Sequence, residues 1–139
     1  MDQLGARVIV VDVNLLVYLT VGTGAFGELT RAARKQDRNW MAPSFWRSEF
    51  RNAMFGYIRR GDLTVEEALE AHIDAELAVT SRRIVPRTVL ELASQTRASA
   101  YDCEYVALAR ALQVRLVTAD VPLVKEFPET CVSLEQFAA

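Results

Sequence analysis

Ten of the twelve residues in VIVVDVNLLVYL, positions 8 to 19, are apolar, and the two polar ones are Asp12 and Asn14. The β-branched run RVIVV (7–11) is too short for a helix and predicts a strand buried on both faces, ending near Asp12. LLVYL then starts the packing of the next element, GTGAFG (22–27) predicts a flexible connection, and ELTRAARKQ (28–36) has helical composition. WMAP (40–43) predicts a second strand. Ser44 suits the N-cap of a helix, FWRSEFRNAMFGYIRR, that stops at Gly61. Thr64 and Glu67 form a capping box for VEEALEAHIDAELAV. IVP (84–86) reads as a third strand, TVLELASQTR as a helix, and Ser99 as the opening of a helix over YDCEYVALARAL. RLVTAD (115–120) supplies a fourth strand and TCVSL a fifth. Short strands alternating with helices predict an α/β sandwich around a parallel sheet.

The length of 139 residues fits one domain, 1–139, with one core. A net charge of −2 gives no whole-molecule field that favours nucleic acid or a membrane. The sixteen basic residues, all arginine except Lys35 and Lys125, gather in small clusters that suit solvated helix faces. No apolar run is long enough to span a bilayer and no leader pattern precedes the first strand, so a cytoplasmic location is expected. Cys103 and Cys131 make no disulfide framework and read as buried thiols.

In a parallel sheet, ligands bind beyond the carboxyl ends of the strands. Asp12 follows RVIVV there and Asp120 follows RLVTA. Glu49, inside the helix after WMAP, shares a stripe with Phe45, Asn52, Ala53 and Gly56, the stripe assigned to the core, while Arg47 and Arg51 point away. Asp102 shares one with Tyr105, Val106 and Ala109. Each acid also has a purely structural use: Asp12 and Asp120 as N-caps, Asp102 as partner of Ser99 in a capping box, and Glu49 beside an arginine or at a helix edge. Four inward carboxylates nevertheless cost several kcal/mol apiece unless cations or donors compensate. With no paired cysteines and a single His72, expected at the surface, the donors are all oxygen, which selects Mg²⁺ or Mn²⁺. The same shortage argues against a Ser-His-Asp triad.

GTGAFG matches the dinucleotide fingerprint in letters only, because an apolar stretch separates it from the first strand. A phosphoryl-accepting receiver domain requires an Asp after the third strand, which IVPRT lacks. An aspartate-nucleophile phosphatase requires Asp-x-Asp where Asp12-Val13-Asn14 stands.

VVDVNLLVYL, SEFRNAM, SAYDCEYVALA and LVTAD resemble, in order and approximate spacing, the four acidic motifs of PIN-domain ribonucleases. Chain length is similar to that of the stand-alone toxins of VapBC-type toxin–antitoxin systems. The resemblance implies a PIN-like three-layer α/β/α sandwich with a central, mainly parallel sheet of four to five short strands. It also implies an acidic pocket of Asp12, Glu49, Asp102 and Asp120, with Asn14, Asn52 and Thr118 as accessory polar positions. Val13 departs from the pattern, where many relatives carry Ser or Thr. The implied activity is Mg²⁺- or Mn²⁺-dependent hydrolysis of RNA, leaving a 5′-phosphate and a 3′-hydroxyl, with Glu49 as ligand or general base. The implied partners are an RNA substrate, a small antitoxin protein and a second copy of the chain; an apolar face such as Phe50, Met54, Phe55 and Tyr57 suits an interface and equally suits the core. The rival expectation is an inactive PIN-like module that binds RNA or protein.

Overall fold

The computed structural model describes residues 7–139. The six residues before Arg7, on which the leader expectation and the start of the 1–139 span bear, lie outside the described residues. The chain runs β1 (Val8–Val11), α1 (Val13–Val21), α2 (Gly24–Gln36), β2 (Asn39–Pro43), α3 (Trp46–Arg59), α4 (Val65–Ala78), β3 (Val79–Arg82), α5 (Pro86–Gln95), α6 (Ala100–Leu112), β4 (Leu116–Thr118), α7 (Val121–Glu126), β5 (Cys131–Ser133) and α8 (Leu134–Ala138). The strands make one sheet in the order β3-β2-β1-β4-β5, and every neighbouring pair is parallel. Parallel neighbours need crossover connections, and the helices that supply them cover the sheet as the outer layers of an α/β/α sandwich. The apolar run Val8–Val11 is therefore central: Ile9, Val10 and Val11 are buried between the layers.

Strand order decides where a site can form. The chain leaves β1 toward β2 and β3, then returns across the sheet to lay β4 on the other side of β1. The crevice beyond the carboxyl ends of β1 and β4 is thus the topological switch point, the usual ligand position in open parallel sheets.

Several local expectations are met through the stated physics. Thr64 and Glu67 close a reciprocal capping box on α4, and Ser99 accepts the Asp102 N–H to cap α6. Gly61 adopts φ +81, the left-handed turn in which Gly61 N–H reaches the Ile58 carbonyl and Asp62 N–H the Tyr57 carbonyl, a Schellman ending for α3. Cys103 and Cys131 are buried thiols.

Others are corrected. The third strand is Val79–Arg82, not 84–86, and Pro86 occupies the first turn of α5. Proline's fixed φ and missing N–H suit a helix start, while β3 reads poorly because it is a half-exposed edge strand with Thr80, Ser81 and Arg82 in it. Ser44 does not cap α3; its hydroxyl donates to the Arg82 carbonyl and ties the end of β2 to that of β3. GTGAFG is no simple connection, since Gly24 to Gly27 form the first turn of α2, where Phe26 stacks on Tyr18 at 5.1 Å. His72 is not a surface residue: its ring stacks on Trp46, meets Phe50 edge-on, and its side chain is 19% exposed.

Candidate functional site: an acidic edge above the sheet

Asp12 is the first residue after β1 and the N-cap of α1, where its carboxylate accepts the Leu15 N–H at 3.3 Å. Its other oxygen accepts the Thr118 hydroxyl from the end of β4. Thr118 in turn accepts the Asp120 N–H at 3.0 Å, and Asp120 caps α7 through the Leu123 N–H. The register of β1 against β4, Val10 on Leu116 and Val11 on Val117, sets this junction, because it brings the two strand ends level. One buried hydroxyl thereby links two acids 108 positions apart in sequence.

The helical acids reach the same edge from the sides. Glu49, in the first turn of α3, accepts the Tyr105 phenol at 2.6 Å. Asp102, in the first turn of α6, lines with Asp120 a cleft of about 330 Å³ that also includes Arg97, Ser99 and Glu126. The stripe assigned to Glu49 needs correction: the buried face of α3 is Trp46, Phe50 and Met54, and Glu49 lies on its flank, half-buried, with Asn52 exposed. Phe50 and Met54 therefore belong to the core and not to an interface. Asn14 is exposed on α1.

Electrostatics sets these acids apart. Burial pushes Asp12 up to about 6, against the lowering by its hydrogen bonds from Thr118 and Leu15 and with a further push from Asp120. Burial also raises Glu49, which the Tyr105 phenol lowers and Asp102 and Glu104 raise further. Asp102 is raised by burial and then by Asp120. Each is held above the ordinary carboxylate range by desolvation plus other acids, the pattern of a cluster with too little positive charge around it.

Among the described residues no three acid, imidazole or thiolate side chains stand close enough for a finished metal ligand set. What the donors offer is composition and charge: hard oxygens only, mutually repelling, at a strand-end crevice, which suits Mg²⁺ or Mn²⁺ and not Zn²⁺. Asp12, Asp102 and Asp120 are the residues that would hold such an ion, with Glu49 beside them.

Sequence reasoning missed the role of Tyr105, counted only as an apolar neighbour of Asp102. The available signal was chemical, since a buried tyrosine hydroxyl needs a partner. That the partner is Glu49, 56 positions away, is a tertiary fact.

No protein-family model and no curated protein sequence matches the chain. Its fold is similar to that in the crystal structure of PAE2754 from Pyrobaculum aerophilum, with a TM-score of 0.76 over 95% of this chain and 96% of that one, at 18% identity. At that identity the likeness concerns architecture, and the α/β/α sandwich with its parallel five-stranded sheet is a fold that this chain shares with a solved protein.

Proposed function

We propose that this chain is a Mg²⁺- or Mn²⁺-dependent endoribonuclease of the PIN type, acting as the toxin of a VapBC-type pair. The single observation that carries the reading is that the Thr118 hydroxyl holds both the Asp12 carboxylate and the Asp120 backbone N–H at the switch point of the sheet, with the Asp102 and Asp120 side chains lining one cleft beside it. A divalent ion bound there supplies Lewis-acid activation of water and stabilisation of charge on a phosphodiester. The chain's own groups prepare the edge for it. Thr118 and the start of α1 fix the Asp12 carboxylate, and Tyr105 fixes Glu49 as ligand or general base. Burial excludes water from the Asp12 side, which strengthens its attraction for a cation.

The partners that go with this reading are RNA, a small antitoxin protein and a second copy of the chain. The protein contacts find support in an apolar stripe on α4, where Val65, Leu69, Ile73 and Leu77 are all more than half exposed. Among the described residues no helix is long and apolar enough to cross a membrane.

The test is cleavage of single-stranded RNA with Mg²⁺ or Mn²⁺, followed on gels that resolve 5′-phosphate products. Wild type is expected to cut, and Asp12→Asn or Asp102→Asn to lose at least about 100-fold in rate, as removal of transition-state charge stabilisation does. Cutting unchanged in both variants, or unchanged by EDTA, overturns the proposal. Binding without cutting leaves the inactive RNA-binding module in its place.

A further inference from the structure

Aromatic side chains beside the acidic edge form a continuous path from solvent to Glu49. Tyr101 is the second residue of α6, immediately before Asp102, and is 63% exposed. Its ring lies 5.4 Å from that of Phe45, tilted by 36°. Phe45, at the N-cap of α3 and half-buried, meets the Tyr105 ring edge-on at 5.4 Å, and the Tyr105 phenol donates to Glu49. Tyr101 thus has one ring neighbour behind it and most of its surface open. It directly precedes Asp102 on α6, outside the lining of the cleft of Asp102 and Asp120, which Arg97 lines with a positive charge.

Burial does not explain an aromatic of this size left so open, and Phe45 already packs against Tyr105 without it. An exposed ring backed by a second ring, next to a site for phosphodiesters, has the chemistry of a nucleobase platform. Stacking on an aromatic face is sequence-tolerant, since every base has a π-face, and it needs a base that is not already stacked in a duplex. We propose that Tyr101, backed by Phe45, stacks an unpaired base of the substrate strand next to the scissile phosphate and so selects single-stranded RNA. This rests on the nuclease reading and adds to it the element that discriminates strand state.

The experiment is equilibrium binding of a fluorescent single-stranded RNA oligonucleotide, with Ca²⁺ replacing Mg²⁺ to suppress cutting, and of the same sequence as a duplex. Tyr101→Ala and Tyr101→Leu are expected to weaken single-strand binding by roughly 5- to 100-fold, the range of one lost base stack. Tyr101→Phe is expected to stay within about twofold, and duplex binding to be unchanged in all three, because the stacking face is lost only in the first two. The leucine variant keeps Phe45 covered, so it separates stacking from local packing. Alanine binding like wild type overturns the platform, and so does equal weakening by alanine and phenylalanine, which assigns the effect to the hydroxyl. Cutting that depends on Asp102 while Tyr101→Ala binds normally sinks the platform alone. Wild type that binds no RNA sinks both it and the nuclease reading.

Discussion

Glu49 and Glu76 are both half-buried glutamates, one on α3 and one on α4, and the fold treats them in opposite ways. Glu76 meets Arg47 in a two-pronged pair, with Arg47 Nε and Nη2 each 2.8 Å from a carboxylate oxygen. That hydrogen bond holds its carboxyl below the ordinary range. Glu49 meets a phenol and other acids, and burial holds its carboxyl above that range. Arg47 sits two positions before Glu49 on the same helix but on another face, and its cation goes to Glu76 on α4. A glutamate whose role is structural is neutralised by the chain itself. The acids at the switch point are left short of positive charge, and that shortage is what an ion from outside can relieve.

The contrast breaks most visibly at Asp12. The carboxyl binds its proton more tightly in the fold, where burial pushes it to about 6, than in an unfolded chain near 3.8. Between those values the folded state carries more protons, so the stability of the metal-free protein falls as pH rises through this window and stays low above it. The difference corresponds to about 3 kcal/mol, and an amide at this position forgoes about 1 kcal/mol of hydrogen bonding to Thr118 or Leu15. Asp12→Asn is therefore expected to stabilise the EDTA-treated protein at pH 7 by about 2 kcal/mol while abolishing cutting. Urea unfolding at pH 5 and pH 7 measures this, and parallel pH dependence in the two proteins counts against it.

Tyr105→Phe sharpens the comparison from the other side. Without the phenol, Glu49 keeps its burial and its acidic neighbours but loses the one contact that lowers it. Its carboxyl rises further, so the acidic limb of the pH–rate profile moves to higher pH and activity on that limb falls. A profile unmoved by the substitution shows that Glu49 does not need its tyrosine. The smallest effect belongs to Arg47→Ala. Both partners of that pair are more than a third exposed, so solvent screening limits the loss to at most about 1 kcal/mol in urea unfolding, with cutting unchanged. An activity loss there would mean that the neutralised pair and the acidic edge are coupled.

Elements with strong local chemistry are legible along the chain. RVIVV, the capping box at Thr64 and Glu67, Ser99 ahead of α6, and Gly61 after α3 follow from propensity and from backbone groups that need partners within three or four residues. Where local preference and tertiary pairing compete, the sequence misleads. Ile84 and Val85 look more like a strand than Val79–Arg82, yet the ladder with Trp40–Pro43 selects the latter. His72 looks polar within an acidic helix, but α4 turns it onto Trp46 and Phe50, and its Nε2 is buried with no hydrogen-bond partner among the described residues.

The sequence by itself determined the acids, their positions at strand ends and helix starts, and the absence of enough nitrogen or sulfur donors for any ion but a hard one. It did so because those properties belong to residue type and local order. Only the tertiary structure decided which groups meet: the register of β1 with β4 that sets Thr118 between Asp12 and Asp120, and the approach of α3 to α6 that gives Glu49 a phenol. The reason is physical. A hydrogen bond between residues 56 or 106 positions apart leaves no periodicity in the chain, and it forms only when packed layers fix both ends.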